Sequence, residues 1–282
     1  MNTTNAFTVD LEDWFQGLTS TNVRAGSWQQ YEARLEQNAH RLLALLAGYG
    51  VRATFFVLGH VAAQYPDLIR RIDAAGHEIG VHGYWHRMVH RLSPQQFAAE
   101  LEQAIGVLAP LIGQPLLGHR APYFSINGRS LWALDVLRET GFRYDSSFFP
   151  TRSLLYGYPG AQRFPHRPGG GDGLVEFPIA TARWAGISWP IGGGFYVRSW
   201  PYWLVRRGIR QLNAQGQPAV MYVHPWELDT EQRYRSVTLR ERITHYHGRG
   251  GLRAKLDRLF TDFSFCPLRE LLGCTGTGHQ AV

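Results

Sequence analysis

Near its start the chain reads "FTVDLEDWFQ", residues 7 to 16, which sets Asp10, Glu12 and Asp13 into what is otherwise an apolar strand. Burying several carboxylates close together is unfavourable unless something positive meets them. A candidate partner comes later. "VHGYWH" places His82 and His86 four apart, directly after the strand-like "HEIGV". Two imidazoles and one carboxylate suit a zinc-like divalent ion and leave a coordination position for water. A histidine pair alone is more often a surface or core feature. Here the pair and the acids both follow predicted strands, and strand ends of neighbouring β/α units share one face.

The elements that would position these groups alternate. Strands are expected in "AFTVDL", "VRATFFVLG", "HEIGVHG", "PLLGHRAPY" and "FRYDSS". Between them lie helices in "YEARLEQNAHRLLALLAGYG", "QYPDLIRRIDAAG", "SPQQFAAELEQAIGVLAPLIG" and "NGRSLWALDVLRETG". The apolar spacing is helical, Ser93 can cap the third helix with Pro94 in its first turn, and glycines close several of them. This order implies parallel strands with crossover helices, as a barrel or an open sheet. Residues of about 150–200, rich in Gly, Pro and aromatics, break the rhythm and read as a rim insertion of loops and short strands. Order returns with the helix "SWPYWLVRRGIRQLNAQG" and the strand "PAVMYVHPWELD". A C-terminal extension over about 230–275 follows, with "LRAKLDRLF", "DFSFCP" and "LRELLG". No repeat or linker is visible, so residues 1–282 are expected to form a single domain.

Composition narrows the function classes. The chain has 282 residues, 44% hydrophobic and 18% charged, which is globular and long enough for a large core. Its formal net charge is +7, from 29 Lys and Arg against 22 Asp and Glu. The basic residues form no clustered stripe and no nucleic-acid reader motif, so no nucleic-acid partner is expected. A basic surface can attract anionic lipid head groups or acidic polymers, and peripheral membrane association is the corresponding expectation. Two cysteines, Cys266 and Cys274, make no disulfide framework or thiolate metal site. No apolar run reaches membrane-spanning length and no signal peptide is visible, so the expected location is cytoplasmic.

The ordered motifs "VDLEDW", "HGYWH", "RAPY", "YDSS" and "YVHPWE" resemble those of the polysaccharide deacetylases of carbohydrate esterase family 4. The likeness is greatest to the subfamily found beside exosortase and exopolysaccharide gene clusters. Core motifs span about residues 7–150, and the late segment 218–229 extends the match. The resemblance implies a distorted, incomplete (β/α) barrel. It also implies a divalent metal, zinc by preference, held by His82, His86 and an acid of the first strand. Many members have two adjacent aspartates where this chain has Asp-Leu-Glu-Asp, so the third ligand is read as Asp13, with Glu12 as the alternative. The acid left over would serve in a supporting or loop-capping role.

Other roles carry over in the same way. Asp10 matches the catalytic base and Arg120 the arginine that pairs with it. The backbone N–H of Tyr123, next to Pro122, matches the oxyanion donor, and His224 matches the acid that protonates the leaving amine. Asp145 is the candidate to orient His224, with Asp229 and Glu227 as alternatives; it could equally cap a strand. His90 is expected at the rim, and His119 in a structural place. Trp14, Trp85 and Trp226 adjoin motifs and are the candidates for a sugar-binding groove, with Pro122 shaping it.

The expected activity is metal-dependent removal of N-acetyl groups from amino sugars of a glycan or a lipid-linked glycan precursor. A superfamily relative acting on a small cyclic amide, allantoinase-like, is the enzymatic rival, because the "VDLED" spacing is closer to that branch. A non-catalytic carbohydrate-binding relative is the third reading; it sits poorly with a sequence in which every chemical position is filled.

Overall fold

Strand β1 (Asn5–Leu11) is buried along its whole length, and alternation sends its side chains to two different layers. Phe7, Val9 and Leu11 join a core shared with helices, whereas Ala6 joins a second, smaller core with Phe56, Tyr144, Phe177 and Tyr222. A computed structural model describes residues 3–22, 25–151, 156–170, 173–233 and 236–273. In it β1 pairs in parallel with β2 (Thr54–Val57), which is followed by β3 (Glu78–Val81), β4 (Gly118–His119), β5 (Tyr144–Asp145) and β6 (Val175–Glu176). A separate antiparallel hairpin joins β7 (Thr181–Trp184) and β8 (Ile187–Pro190). Strand β9 (Val220–Val223) runs along the other edge of β1, and β10 (Phe265–Cys266) pairs with its first residues.

Among the described residues the main sheet has 8 strands, all parallel. Past β6 the chain continues towards β9, where Ala180 N donates to Val220 O and Tyr222 N to Gly192 O. A Cβ at Gly192 would lie 2.5 Å from Val220 O, so only glycine allows this approach. The sheet thus curls into the expected incomplete barrel with the smaller core inside. Helices cover the outside. Leu35–Gly48 buries Leu35, Ala39, Leu42 and Leu46; Pro94–Leu108 buries Phe97, Leu101, Ala104 and Leu108. These apolar positions recur every three or four residues, and each fully buried leucine contributes about 1.5–3 kcal/mol. Ser93 caps the second of these helices through a reciprocal capping box with Gln96.

Two boundaries differ from expectation. The stretch 150–200 is not simply an insertion, because Val175–Glu176 is a strand of the main sheet and only β7 and β8 stand apart. Two residues between glycines and prolines are too few to show a period. The C-terminal extension is likewise part of the sheet through β10, and it contains an unforeseen helix, Leu239–Tyr246, capped by Thr238. Cys266 is buried in β10, and Cys274 lies outside the described residues. Among the described residues no helix is long and apolar enough to cross a membrane.

Candidate active site

The C-terminal strand ends converge as parallel β/α order requires. Asp10 lies on β1 and Glu12 just beyond it. His82 follows β3, Arg120 follows β4 and His224 follows β9. Asp10, Glu12, His82, His86 and His224 line a cavity of about 630 Å³.

Arg120 is fully buried at the floor. Its Nη1 donates to Asp10 Oδ1 at 2.6 Å and to Thr8 Oγ1 at 2.8 Å, and its Nε and Nη2 donate to Ser146 O and Oγ. Its plane lies 4.2 Å over the Phe56 ring. Every edge of the guanidinium is thereby fixed, and one Asp10 oxygen is committed to it.

One ligand-type atom each from Glu12, His82 and His86 lies within 4.8 Å of the others, and all three residues are buried. His82 Nδ1 is 2.8 Å from Arg120 O. A carbonyl can only accept, so Nδ1 carries the proton and Nε2 keeps its lone pair. Burial pushes the His82 imidazole down to about 4, with His86 adding to the effect, so it is neutral near pH 7. Burial alone would raise the Glu12 carboxyl, but His86, His224 and His82 outweigh it and hold it at about 2. Glu12 Oε2 lies 2.8 Å from His86 Nε2. The buried Glu12 carboxylate, gathered with the His86 ring and with His82, whose Nε2 keeps its lone pair, fits a divalent cation. His86 and Tyr123 are held at φ 54° and 55°, left-handed conformations that cost non-glycine residues about 1–3 kcal/mol each. Their rings lie 4.5 Å apart.

Across the cavity His224 Nε2 is 3.9 Å from Asp10 Oδ2 and 3.5 Å from Glu12 Oε1. Its Nδ1 is 2.6 Å from Glu227 Oε1. Burial lowers the His224 pKa, but Glu12, Glu227 and Asp10 together carry it above the ordinary value.

Several sequence expectations need correction. Asp13 does not face the histidines. Its Oδ1 accepts from Trp14 N, and its Oδ2 accepts from Arg34 N and Leu35 N at the start of the helix Leu35–Gly48. Those amides are helix-start donors that need an acceptor, so the first-strand acid gathered with His82 and His86 is Glu12. Asp145 does not reach His224. It accepts from His119 Nδ1 at 2.8 Å and from Ser147 Oγ, and His119 packs against Phe97 and Phe142 of the helical layer. The motif "YDSS" instead serves the site through Ser146. Asp229 is bound to Arg34 and Asn38.

The tryptophans are also placed differently. Trp14 is buried, with its Nε1 on Glu32 O. Trp85 packs on His60 and Tyr84 and does not line the cavity. Trp226 lines it, with its ring stacked on His224 at 4.8 Å and on His245 at 4.0 Å. Pro122 is buried in the turn and lies outside the lining. Tyr123, Phe124, Tyr156, Phe195 and Tyr222 supply the aromatic walls instead. His90 sits at the rim as expected. Tyr156, Phe195 and Arg198 carried no motif signal; Glu227 could have been weighted more, since an acid three residues after a strand-ending residue can reach back to its backbone N–H.

Known proteins match in two pieces. Residues 27–144 match the family model for polysaccharide deacetylase, and residues 146–273 match a domain of unknown function, DUF3473. A peptidoglycan-N-acetylglucosamine deacetylase of Bacillus cereus is 30% identical over 102 residues, 36% of this chain and 37% of that protein. The chain thus spans roughly a third of the length of the curated relatives it matches. A crystal structure described as a polysaccharide deacetylase from Mycobacterium smegmatis superposes with a TM-score of 0.63 at 20% identity, over 100% of this chain and 96% of that one. Puue allantoinase superposes with a TM-score of 0.64 at 15% identity, over 96% and 89% of the two chains. Residues 27–144 therefore match the polysaccharide deacetylase family, in a chain with the curled α/β-barrel fold of those structures.

Proposed function

We propose that this protein is a metal-dependent hydrolase that removes N-acetyl groups from amino sugars of a glycan. The observation that carries this reading is the facing arrangement of Asp10, fixed by Arg120, and His224, with Glu12, His82 and His86 gathered beside them. Glu12, His82 and His86 would hold the divalent ion, zinc by preference. When bound, that ion polarises the acetamide carbonyl and lowers the pKa of water. The chain's own groups do the rest. Asp10 Oδ1 is occupied by Arg120, which leaves Oδ2 to take the proton of the attacking water. The backbone N–H of Tyr123 is assigned to the developing oxyanion. When the C–N bond breaks, the nitrogen leaves with the electron pair and takes a proton from His224 Nε2, releasing acetate and the free amine.

The substrate follows as part of the same proposal. A B. cereus relative acts by name on peptidoglycan N-acetylglucosamine, and the aromatic cavity suits sugar rings. We assign the protein to the exopolysaccharide-locus type, acting in the cytoplasm on an N-acetylated or lipid-linked precursor, with its basic surface towards the membrane. The Asp10-Leu-Glu12 spacing favours a second reading, hydrolysis of a small cyclic amide. Zinc-loaded protein should release acetate from N-acetylated chito-oligosaccharides and not open a hydantoin ring. Chelation should abolish the release and zinc should restore it. Metal-replete protein inactive on every N-acetylated sugar tested would overturn the proposal.

A further inference from the structure

We propose that Glu227, clamped by Arg198, is the positioning residue that holds His224 for proton donation to the leaving amine. The segment of unknown function thereby becomes the acid half of the site. This rests on the reading of His224 as the proton donor.

The geometry is specific. Glu227 Oε1 accepts from His224 twice, from ring Nδ1 at 2.6 Å and from backbone N at 3.1 Å. Gripping ring and backbone together fixes the rotation of the imidazole and directs Nε2 towards Asp10 and Glu12. Trp226, nearly parallel to the ring at 19°, walls one face. The other carboxylate oxygen accepts from Arg198 Nη1 at 3.2 Å, and both side chains are about 1% exposed. Arg198 is anchored in turn by the carbonyls of Thr244 and His245. The stretch "GGGFY", residues 192–196, makes room for this carboxylate. A Cβ at Gly194 would sit 2.0 Å from Glu227 Oε1, so glycine is what lets the carboxylate occupy this place. Asp145, the sequence candidate for this task, is taken up by His119.

A buried Glu–Arg pair can also be purely structural. The nature of the leaving group separates the two roles. An amine must be protonated to leave, whereas p-nitrophenolate needs no proton. Full-length zinc-loaded protein is assayed on N-acetylated chito-oligosaccharide and on p-nitrophenyl acetate. Glu227→Gln should lower kcat on the amide about 10²- to 10³-fold with KM little changed, and lower the aryl ester rate less than about tenfold. Glu227→Asp should recover part of the ratio. The ratio of the two rates does not depend on the fraction of folded protein. The double variant Arg198→Met/Glu227→Gln, which leaves no buried orphan charge, should show the same change in ratio. Equal loss on both substrates, or unchanged kcat on the amide, overturns the positioning role. If His224→Ala shifts the ratio and Glu227→Gln does not, the positioning proposal fails while the proton-donor reading stands. If neither shifts it, both fail.

Discussion

Residues 7–144 and residues 146–273 meet at one cavity but furnish it differently. In the first region the chemistry stands on strand ends. Asp10 lies on β1 and Glu12 just after it, His82 follows β3 and Arg120 follows β4, each on or next to a parallel ladder. In the second, only His224 follows a strand, and its partners come from elsewhere: Glu227 from a short 3-10 turn, Arg198 from a short helix, and the cavity wall from the helix Leu239–Tyr246. A strand end gives a fixed direction cheaply, because its backbone is already held on both sides. A group on a loop has to be held by side-chain contacts, and the second region accordingly spends a buried ion pair, a glycine clearance and a stacked tryptophan on one histidine.

The contrast can be broken at several points. The largest effect is expected at His82. His82→Ala should remove bound metal, measured by elemental analysis, and lower acetate release by about 10³-fold, the equivalent of several kcal/mol of lost charge stabilisation. Retention of stoichiometric zinc and activity would show that the first region does not hold the ion. Next is Arg120→Met, which orphans Asp10 in the barrel and should cost about 3–5 kcal/mol of stability by urea unfolding. A loss below about 1 kcal/mol would mean that the strand-end frame does not depend on this pair.

Asp13→Ala and Glu12→Gln should then part company. The first should lose about 1 kcal/mol of stability, as for a missing helix cap, and keep its metal; the second should lose metal affinity. The reverse result would restore Asp13 as the ligand. The smallest effect concerns pH. Burial pushes His77 down to about 4, with Arg52 adding, and its Nδ1 accepts from Ala53 N. The folded state therefore binds this proton less readily than the unfolded chain, so the contribution is complete above about 6.5 and is lost as pH falls towards 4. His245, beside Trp226 in the second region, is lowered in the same direction. His77→Gln should flatten the decline in unfolding free energy between pH 7 and pH 4.5; an unchanged slope would show that His77 does not cause it.

Legibility followed the same division. The strand alternation of β1 and the spacing of His82 and His86 exposed the first region directly, because apolar periodicity reports where a strand ends. Choosing between Glu12 and Asp13 was harder, since β1 stops at Leu11 and the next turn decides which carboxylate faces inward. The cue was present in Asp13 and Gln16, which form a capping box. At the boundary between the regions β5 is two residues long, as is β6 in the second region, too short for a period, so neither the direction of Asp145 nor the membership of Val175 in the sheet could be read. Arg198 and Glu227 are brought together by tertiary packing alone.

The pairing of β1 has a consequence for how the molecule is made. Its first residues are hydrogen-bonded to β10 and its middle to β9, so β1 is made long before the strands that enclose it. A nascent chain would carry this strand with an unpaired edge until β9 and β10 are made, and such non-local closure is slow. Truncation before Phe265 should therefore yield aggregation rather than a smaller working enzyme.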